Sequence, residues 1–512
     1  MTRDNQVKLF RGGVLSEKEV FYRLQENFVQ QYRDFFHDKR AAKAIVVVPS
    51  LTLDPEILSK VQGIVHYEER LLCLLLLLRM PRTHVIYITS TPIDPVIIDY
   101  YLHLLPGITG DHARQRMHFF SCQDASSLSL SEKILNRPRL LRRIQKAIPH
   151  GHLAHLACFN VTGHERKLAL RLGLPIYGCD PDLAYWGSKS GSRAIFRECG
   201  VDMPPGFEQL KGEQDIVQAL AKLYVADPEL KKAVIKMNDA FSGEGNAIFS
   251  FAFINRDEPV EAQIKAQLPA GLVIIAGGLS YDQYMARFAA MGGIAEAYID
   301  APKKASPSVQ CRINPLGEID IISTHDQLMS GPDGQVFLGG TFPADPEYAV
   351  ELGLLGRKVS EAMLNKGVLG RFGVDFVSVK ENGIWKHYAI EINLRKGGTT
   401  HPYIMLQFLT DGDYNPDTGK FVLPDGNEKC YLFTDNLQHD QFKGLIPEDL
   451  MDIAMLNGLH YDATREEGVV FHLIGALSQY GKLGLVCIAS SFDRVKYFYD
   501  ETVKVLRSES FG

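Results

Sequence analysis

What this 512-residue sequence lacks removes several classes of protein at the outset. Its eight cysteines, at 73, 122, 158, 179, 199, 311, 430 and 487, never approach the CxxC spacing of a zinc or redox site, and they read as free buried thiols. There is no basic excess: 55 Lys and Arg stand against 61 Asp and Glu, a formal net charge of -6, so a nucleic acid is not the expected partner. No apolar leader opens the chain, since Met1 to Gly12 is polar and mixed, and a reducing cytoplasm is the expected location. The most apolar run, Leu71 to Leu78, is about a third of what a bilayer span requires. Glu68, Glu69, Arg70 and Arg79 bracket it, so a buried helix is expected and no membrane. Internal repeats and low-complexity tracts are also missing.

The composition that remains, 46% hydrophobic and 23% charged, is that of a globular chain. At ~150 residues per domain it divides into three or four units. From 42 to 180, strand-like runs (Ala44 to Val48, His84 to Thr89, Leu153 to Cys158) alternate with helical patterns, which predicts a parallel α/β layer. Arg137, Arg139, Arg142, Arg143 and Lys146 fall on one of those helices and read as a solvated face. His150, His152 and His155 have no acidic or thiol partner among them, and a metal there is disfavoured.

The turn-rich stretch 175 to 182 marks a boundary. The expected units are an N-terminal α/β layer (1–182), a second unit (183–270), a further α/β stretch (271–412) and a small separate α+β tail (413–512). In the tail, strands over 469–474 and 483–489 and a helix over 492–505 are expected. The loop Asp411 to Gly419 should be a cleavable linker.

Two stretches carry chemistry. Lys236 ends a strand, and the loop Asn238 to Asn246 follows it; Gly243 and Gly245 let backbone N–H groups approach a polyphosphate without a Cβ in the way. A plain turn is the alternative at this point. The second stretch is Tyr388 to Asn393, where Glu391 and Asn393 lie two apart and share a strand face with Arg395, opposite Tyr388, Ile390, Ile392 and Leu394. Carboxylate and amide oxygens are hard ligands that suit Mg²⁺; a wet strand face with a surface ion pair is the alternative.

Asp375 lies on the preceding strand, and hairpin register decides whether it joins them. A two-residue Asn382-Gly383 turn sets Asp375 opposite Ile390, on the wrong face. A three-residue turn through Glu381, Asn382 and Gly383 sets it opposite Ala389 and diagonal to Glu391, with Gly383 at positive φ. The three-residue turn is therefore expected.

The order Lys189, Lys236, the Ser-Gly-Glu-Gly loop, Ile294 to Ile299, Asp375, then Glu391-Ile-Asn393 resembles the ATP-grasp superfamily, in which two α+β lobes clamp ATP. Within it, Phe241 to Ala247, Glu391 to Pro402 and Gly468 to Gly475 resemble the pheganomycin-type peptide ligases. The resemblance makes 1–182 a layer of the kind that precedes ATP-grasp lobes. It implies that Lys189 and Lys236 contact ATP phosphates, that Ser242, Gly243, Glu244, Gly245 and Asn246 close over them, and that Glu296, with the adjoining strand through Tyr298, meets the adenine. Asp375, Glu391 and Asn393 would hold Mg²⁺, as two ions.

Arg312 and Arg395 are the candidates for steadying the transferred phosphate, because their forked donors match such oxyanions. The ribose contact stays open, since Ala301 to Ser306 offers no acid. The implied reaction joins a small-molecule or peptide carboxylate to an amine through an acyl phosphate, releasing ADP and phosphate. Another ATP-grasp reaction (phosphorylation or carboxylation) and a non-catalytic nucleotide binder are the alternatives, and a homodimer is compatible. The glycine loop, from Gly243 to Asn246, is expected to be mobile without nucleotide.

Overall fold

The computed structural model describes residues 16–36, 38–52, 62–239, 245–275, 279–330 and 336–509. Near the N-terminus β1 (Lys43–Val48), β2 (Thr83–Thr89), β3 (Met117–Ser121) and β4 (Leu153–Cys158) form a parallel sheet in the order β3-β2-β1-β4. Because successive side chains point to opposite faces, Ile45, Val47 and Tyr87 enter one core while Ala44, Val46 and Ile86 enter another.

The leucine run is not free to meet a membrane. It lies in a 3₁₀ helix, Ile64–Arg79, packed between that sheet and the helix Thr400–Thr410, so residues of both chain ends share one core. Each leucine so buried stabilises the fold by ~1.5–3 kcal/mol. Among the described residues no helix is long and apolar enough to cross a membrane.

A second sheet is antiparallel, in the order β5-β9-β6-β7-β8. Its strands are β5 (Gly206–Leu210), β6 (Lys232–Met237), β7 (Asn246–Ser250), β8 (Leu272–Ile274) and β9 (Gly293–Ala297). Ala233, Ile235 and Met237 of β6 face a core shared with the helices Glu213–Ala226 and Tyr281–Met291. Val234 and Lys236, one residue out of phase, are left to face a cleft.

The third sheet has nine strands: β10 (Lys304–Ala305), β11 (Pro307–Ile313), β12 (Ile319–Ser330), β13 (Val336–Phe342), β14 (Gly370–Glu381), β15 (Ile384–Asn393), then, past a two-stranded ribbon of β16 (Asp413–Asn415) and β17 (Lys420–Val422), β18 (Cys430–Gln438), β19 (Gly468–His472) and β20 (Lys482–Ala489). Their order is β10-β14-β11-β12-β13-β18-β20-β19, with β15 on β14.

Two expectations fail here. The tail is not a separate unit: β18 pairs with β13, Thr341 opposite Leu432, so the last strands extend the same sheet. An unpaired β13 edge would expose a row of backbone donors and acceptors, and β18 satisfies them. The stretch 411–419 is not a bare linker either, because Tyr414 pairs with Phe421 and buries into the same core.

The hairpin also differs. Its turn has two residues, Glu381 opposite Ile384, with Asn382 at φ 52° and Gly383 at φ 83°, the positive pair that such tight turns require. Asp375 nevertheless reaches the intended face. The register slips by one between Asp375 and Phe376, so that Phe376 faces Ala389 while Asp375 faces Glu391, with Ile390 as the extra residue. A β-bulge, rather than a longer turn, corrects the parity. Ile390 lines the cleft together with Glu391, while Ala389 and Ile392 stay buried.

Cleavage within 411–419 should therefore leave the two fragments bound to one another on native gel filtration. Deleting 413–512 should abolish soluble, cooperatively melting protein.

Candidate active site

A cleft of ≈ 590 Å³ lies between the second and third sheets and is closed at one end by the 3₁₀ helix and the last strands. On one wall Lys236 of β6 pairs with Glu296 of β9, Nζ to Oε1 at 2.7 Å, and Arg193 holds the other oxygen of Glu296 at 3.0 Å. The Arg193 guanidinium also donates to the Pro204 carbonyl at 2.9 Å. Glu296, only 2% exposed, is thus a buried acid compensated by two cations.

Lys189 opens the helix Lys189–Cys199, whose cap is the Ser188 hydroxyl accepting from the Gly191 N–H at 3.0 Å. The helix N-terminus and its first lysine both favour an anion. Burial, reinforced by the Lys236 cation, pushes the Lys189 ammonium down to about 7, and its Nζ forms an ion pair with Glu391.

The opposing wall is the bulged hairpin. The Asn393 amide nitrogen donates to Asp375 Oδ2 at 2.7 Å and to Glu391 Oε1 at 3.1 Å, which holds those two oxygens within about 6 Å of each other. Asn393 Oδ1 accepts from Arg395 at 3.0 Å. Gln327 of β12 donates to the second oxygen of Asp375 at 2.9 Å. Burial raises the Asp375 carboxyl above its ordinary value, with Lys189 and Arg395 opposing that shift. Burial likewise brings the Arg395 guanidinium down to about 10, which leaves it charged at neutral pH.

Two carboxylates and an amide converging from three strand positions fit a hard divalent cation that takes oxygen ligands. Rotating the Asn393 amide about its last torsion would turn its oxygen toward the carboxylates.

Of the residues singled out from sequence, Lys189, Lys236, Asn246, Glu296, Tyr298, Asp375, Glu391, Asn393 and Arg395 come together in this cleft. Gly245 anchors the base of the glycine loop: its carbonyl accepts from the Met237 N–H at 3.1 Å and from the Tyr284 hydroxyl at 3.0 Å. Ser242, Gly243 and Glu244 lie outside the described residues, and the expected mobility of the loop falls largely on them. Arg312 does not join the site. It sits ~7 Å further along β11 than the cleft-lining Gln310, and its guanidinium is held by Asp320 on β12 at 2.7 and 2.9 Å.

The sequence reading missed the closed end of the cleft. Arg70 of the 3₁₀ helix pairs with Asp435 of β18 at 2.9 Å. Asp435 Oδ1 is also contacted by His472 Nε2 at 2.8 Å and His401 Nε2 at 3.1 Å, the two imidazole nitrogens being 3.0 Å apart. His472 fits there because residue 484, opposite it on β20, is glycine: a Cβ would lie 2.2 Å from its Nε2.

Two histidines and a carboxylate can hold a metal ion, but Arg70 already supplies the positive charge that Asp435 faces, and among the described residues neither imidazole Nδ1 has the hydrogen-bond partner that a metal-bound histidine ordinarily has. Burial works against the Asp435 charge, yet Arg70 and the two imidazoles hold it well below the ordinary carboxylate range. One signal was available: Arg70 borders an apolar run too buried for an unpaired guanidinium.

An α+β lobe carrying a lysine strand and glycine loop, set against a second lobe with a paired-carboxylate hairpin, defines the ATP-grasp class, and the chain has the ATP-grasp fold. Residues 181–269 and 279–417 match the family described as IQCH-like, ATP-grasp, and residues 449–502 match the PGM1 C-terminal domain.

The chain is 28% identical over 463 residues to L-propargylglycine–L-glutamate ligase from Streptantibioticus cattleyicolor, covering 89% of this chain and 92% of that one. It is 22% identical to IQ motif-containing protein H from Danio rerio, covering 98% of this chain but 52% of that longer protein. Among solved structures, the ADP complex of purK, N5-carboxyaminoimidazole ribonucleotide synthetase, aligns over 92% of this chain and 98% of its own at TM-score 0.51 and 10% identity. The biotin carboxylase–β,γ-ATP complex from Campylobacter jejuni aligns over 92% of this chain and 95% of its own, at TM-score 0.53 and 15% identity. These two likenesses concern the fold. The chain resembles the pheganomycin-type peptide ligases within the ATP-grasp class.

Lys236→Ala and Glu391→Ala should each lower ATP turnover at least ~100-fold while leaving the circular-dichroism spectrum unchanged. An interaction made chiefly in the transition state costs on that scale. Near wild-type ADP release from either variant would overturn the assignment.

Proposed function

We propose that the cleft joins a carboxylate to an amine at the expense of ATP. The chain is an ATP-dependent ligase that forms C–N bonds. The observation that supports this reading best is the placement of Asp375, Glu391 and Asn393 on one bulged hairpin, facing Lys189 and Lys236 across a cleft sized for a nucleotide and substrates. Lys189, Lys236 and the glycine loop hold the phosphates, and the strand around Glu296 and Tyr298 meets the base.

Asp375, Glu391 and Asn393 hold Mg²⁺, as two ions, and the metal supplies charge neutralisation on the phosphates. Arg395, fixed by Asn393, steadies the group in transfer. A substrate carboxylate oxygen attacks the γ-phosphorus, the P–O bond to ADP breaks, and an acyl phosphate forms. The amine then attacks the acyl carbon, phosphate leaves with the C–O electron pair, and the amine gives up a proton. No cysteine nucleophile is needed, and burial works against one: Cys73 and Cys311 are each pushed up to about 12.

The name of the Streptantibioticus relative supports amino acids as both the acid and the amine. The test is a paired screen of amino acids and short peptides with Mg-ATP, reading ADP release and product mass. The expected result is a condensation product, heavier than the acid by the amine less one water, formed with one ADP per bond. A phosphorylated or carboxylated product would assign the cleft to another ATP-grasp reaction. ATP binding with no ADP from any pair would make the chain a nucleotide-binding protein.

A further inference from the structure

We propose that the closed end of the cleft is a carboxylate-binding subsite, formed by Arg70 and Lys482 around Tyr67 and set by Asp435, that holds the free carboxylate of the amine substrate. The proposal rests on the ligase reading and specifies what the second substrate must carry. The Arg70 guanidinium lies 4.1 Å from the centre of the Tyr67 ring, and Lys482 Nζ lies 5.1 Å from the same centre and 2.9 Å from the Tyr67 hydroxyl. One aromatic ring therefore brings two cations to one end of the cleft.

Both are deeply buried, each only 6% exposed, and both line the cavity. Asp435 compensates one of them. Lys482 forms no ion pair among the described residues; its bond is to a neutral phenol. Arg70 Nε, buried, has no hydrogen-bond partner there either. A buried cation whose hydrogen bond among the described residues goes to a neutral group, beside a guanidinium with a spare donor, is a costly arrangement unless an anion completes it. The cleft as a whole repeats the imbalance. Among the described residues its lining holds six Lys and Arg, against four Asp and Glu.

The rest of the cluster keeps Arg70 in place. His401 and His472 both contact Asp435 Oδ1, and burial pushes the His401 imidazole down to about 4, so it is neutral and its Nε2–H can donate. The other face of Asp435 is left to the guanidinium. Asp435, His401 and His472 are accordingly positioning residues; Arg70 and Lys482 are the ones that touch the ligand.

Carboxylate is the ligand chemistry that fits. A fork and a point cation match its two oxygens, and the phosphates have their own lysines at Lys189 and Lys236. The carboxylate consumed in the reaction must lie where phosphoryl transfer happens, against Arg395 and the Asp375–Glu391 pair. The carboxylate at Arg70 and Lys482 is therefore a second one that survives the reaction. Origin in the chain points the same way. Tyr67, Arg70, Asp435, His472 and Lys482 all fall outside the residues, 181–269 and 279–417, that match the ATP-grasp family, as expected for selection of substrate rather than of nucleotide.

The test uses the full chain and the acid and amine pair that the screen identifies, with each partner also supplied with its spare carboxylate as the carboxamide. In the wild type, amidating the amine partner should raise its KM about tenfold or more and leave the KM for ATP unchanged. Lys482→Met should raise the KM for the free-acid form by a similar factor and reduce the preference for acid over amide. Arg70→Lys should keep part of that preference and Arg70→Met lose it; should Arg70→Met fail to fold, Lys482→Met decides.

Equal use of acid and amide by the wild type, or an undiminished preference in Lys482→Met, overturns the subsite. Sensitivity to amidation of the acid partner alone overturns the assignment to the amine substrate. Absence of ADP release from every pair is a failure of the ligase reading. Calorimetric binding of the same amino acids in the presence of a non-hydrolysable ATP analogue then decides the subsite separately: binding that Lys482→Met abolishes supports it, and no binding, or binding unchanged in that variant, overturns it.

Discussion

A strand shows each side chain to one face only, and the hairpin β14–β15 has to satisfy that constraint twice. Its tight Asn382-Gly383 turn fixes a register in which Glu391 would fall opposite the buried Val374 and point into the core. A buried carboxylate there, with apolar neighbours on every side, would cost several kcal/mol. The single extra residue at Ile390 reverses the alternation between the turn and the site, so that the turn-proximal half of the hairpin buries Ala389 and the distal half presents Asp375, Glu391 and Asn393. The convergence of Asp375, Glu391 and Asn393, the compensation of Lys189 and the alignment of Arg395 all depend on that one-residue slip.

Charge compensation is the second requirement, and it works both within a sheet and between elements far apart in the chain. Lys189 from a helix of the first lobe meets Glu391 of the second, while Lys236 and Arg193 meet Glu296 inside the first. Arg70 reaches Asp435 from the other end of the chain. Each of these groups would be expensive to bury alone. In the proposed reaction, a nucleotide that drew Lys189 and Lys236 onto its phosphates would free Glu391, while Arg193 would still hold Glu296.

What could be read from the sequence was local. Lys236 with its glycine loop, and Glu391 with Asn393, are each set by spacing along one element, and the family resemblance supplied the roles that spacing left open. The parallel layer could be read from spacing as well. Register could not: a bulge leaves no mark in composition, and Asp375 reaches the expected face through a two-residue turn and a bulge rather than a three-residue turn. Arg312 failed by extension of a correct pattern, because alternation tells which face a residue takes but not where along the strand a cleft ends. The tail was misjudged because pairing of β18 with β13 joins residues about 90 apart, and an edge needing a partner looks, in sequence, like any other strand.

The same distinction separates the two ends of the cleft. Nucleotide and metal chemistry needs a few groups at fixed short spacing, and it comes from contiguous motifs. The closed end is assembled from a helix near residue 70, a strand near 435 and another near 482, which meet only because the N-terminal layer and the last strands share one hydrophobic core. That core therefore does more than stabilise the fold. Packing the leucine run Leu71–Leu78 between the parallel sheet and the helix Thr400–Thr410 fixes where Arg70 projects, and the extension of the large sheet by β18 and β20 fixes Asp435 and Lys482 against it. A substitution in either layer that shifts those elements by an ångström would misalign the closed end while leaving Lys236 and Glu391 in place, so substrate selection can change in this architecture without disturbing the phosphoryl chemistry beside it.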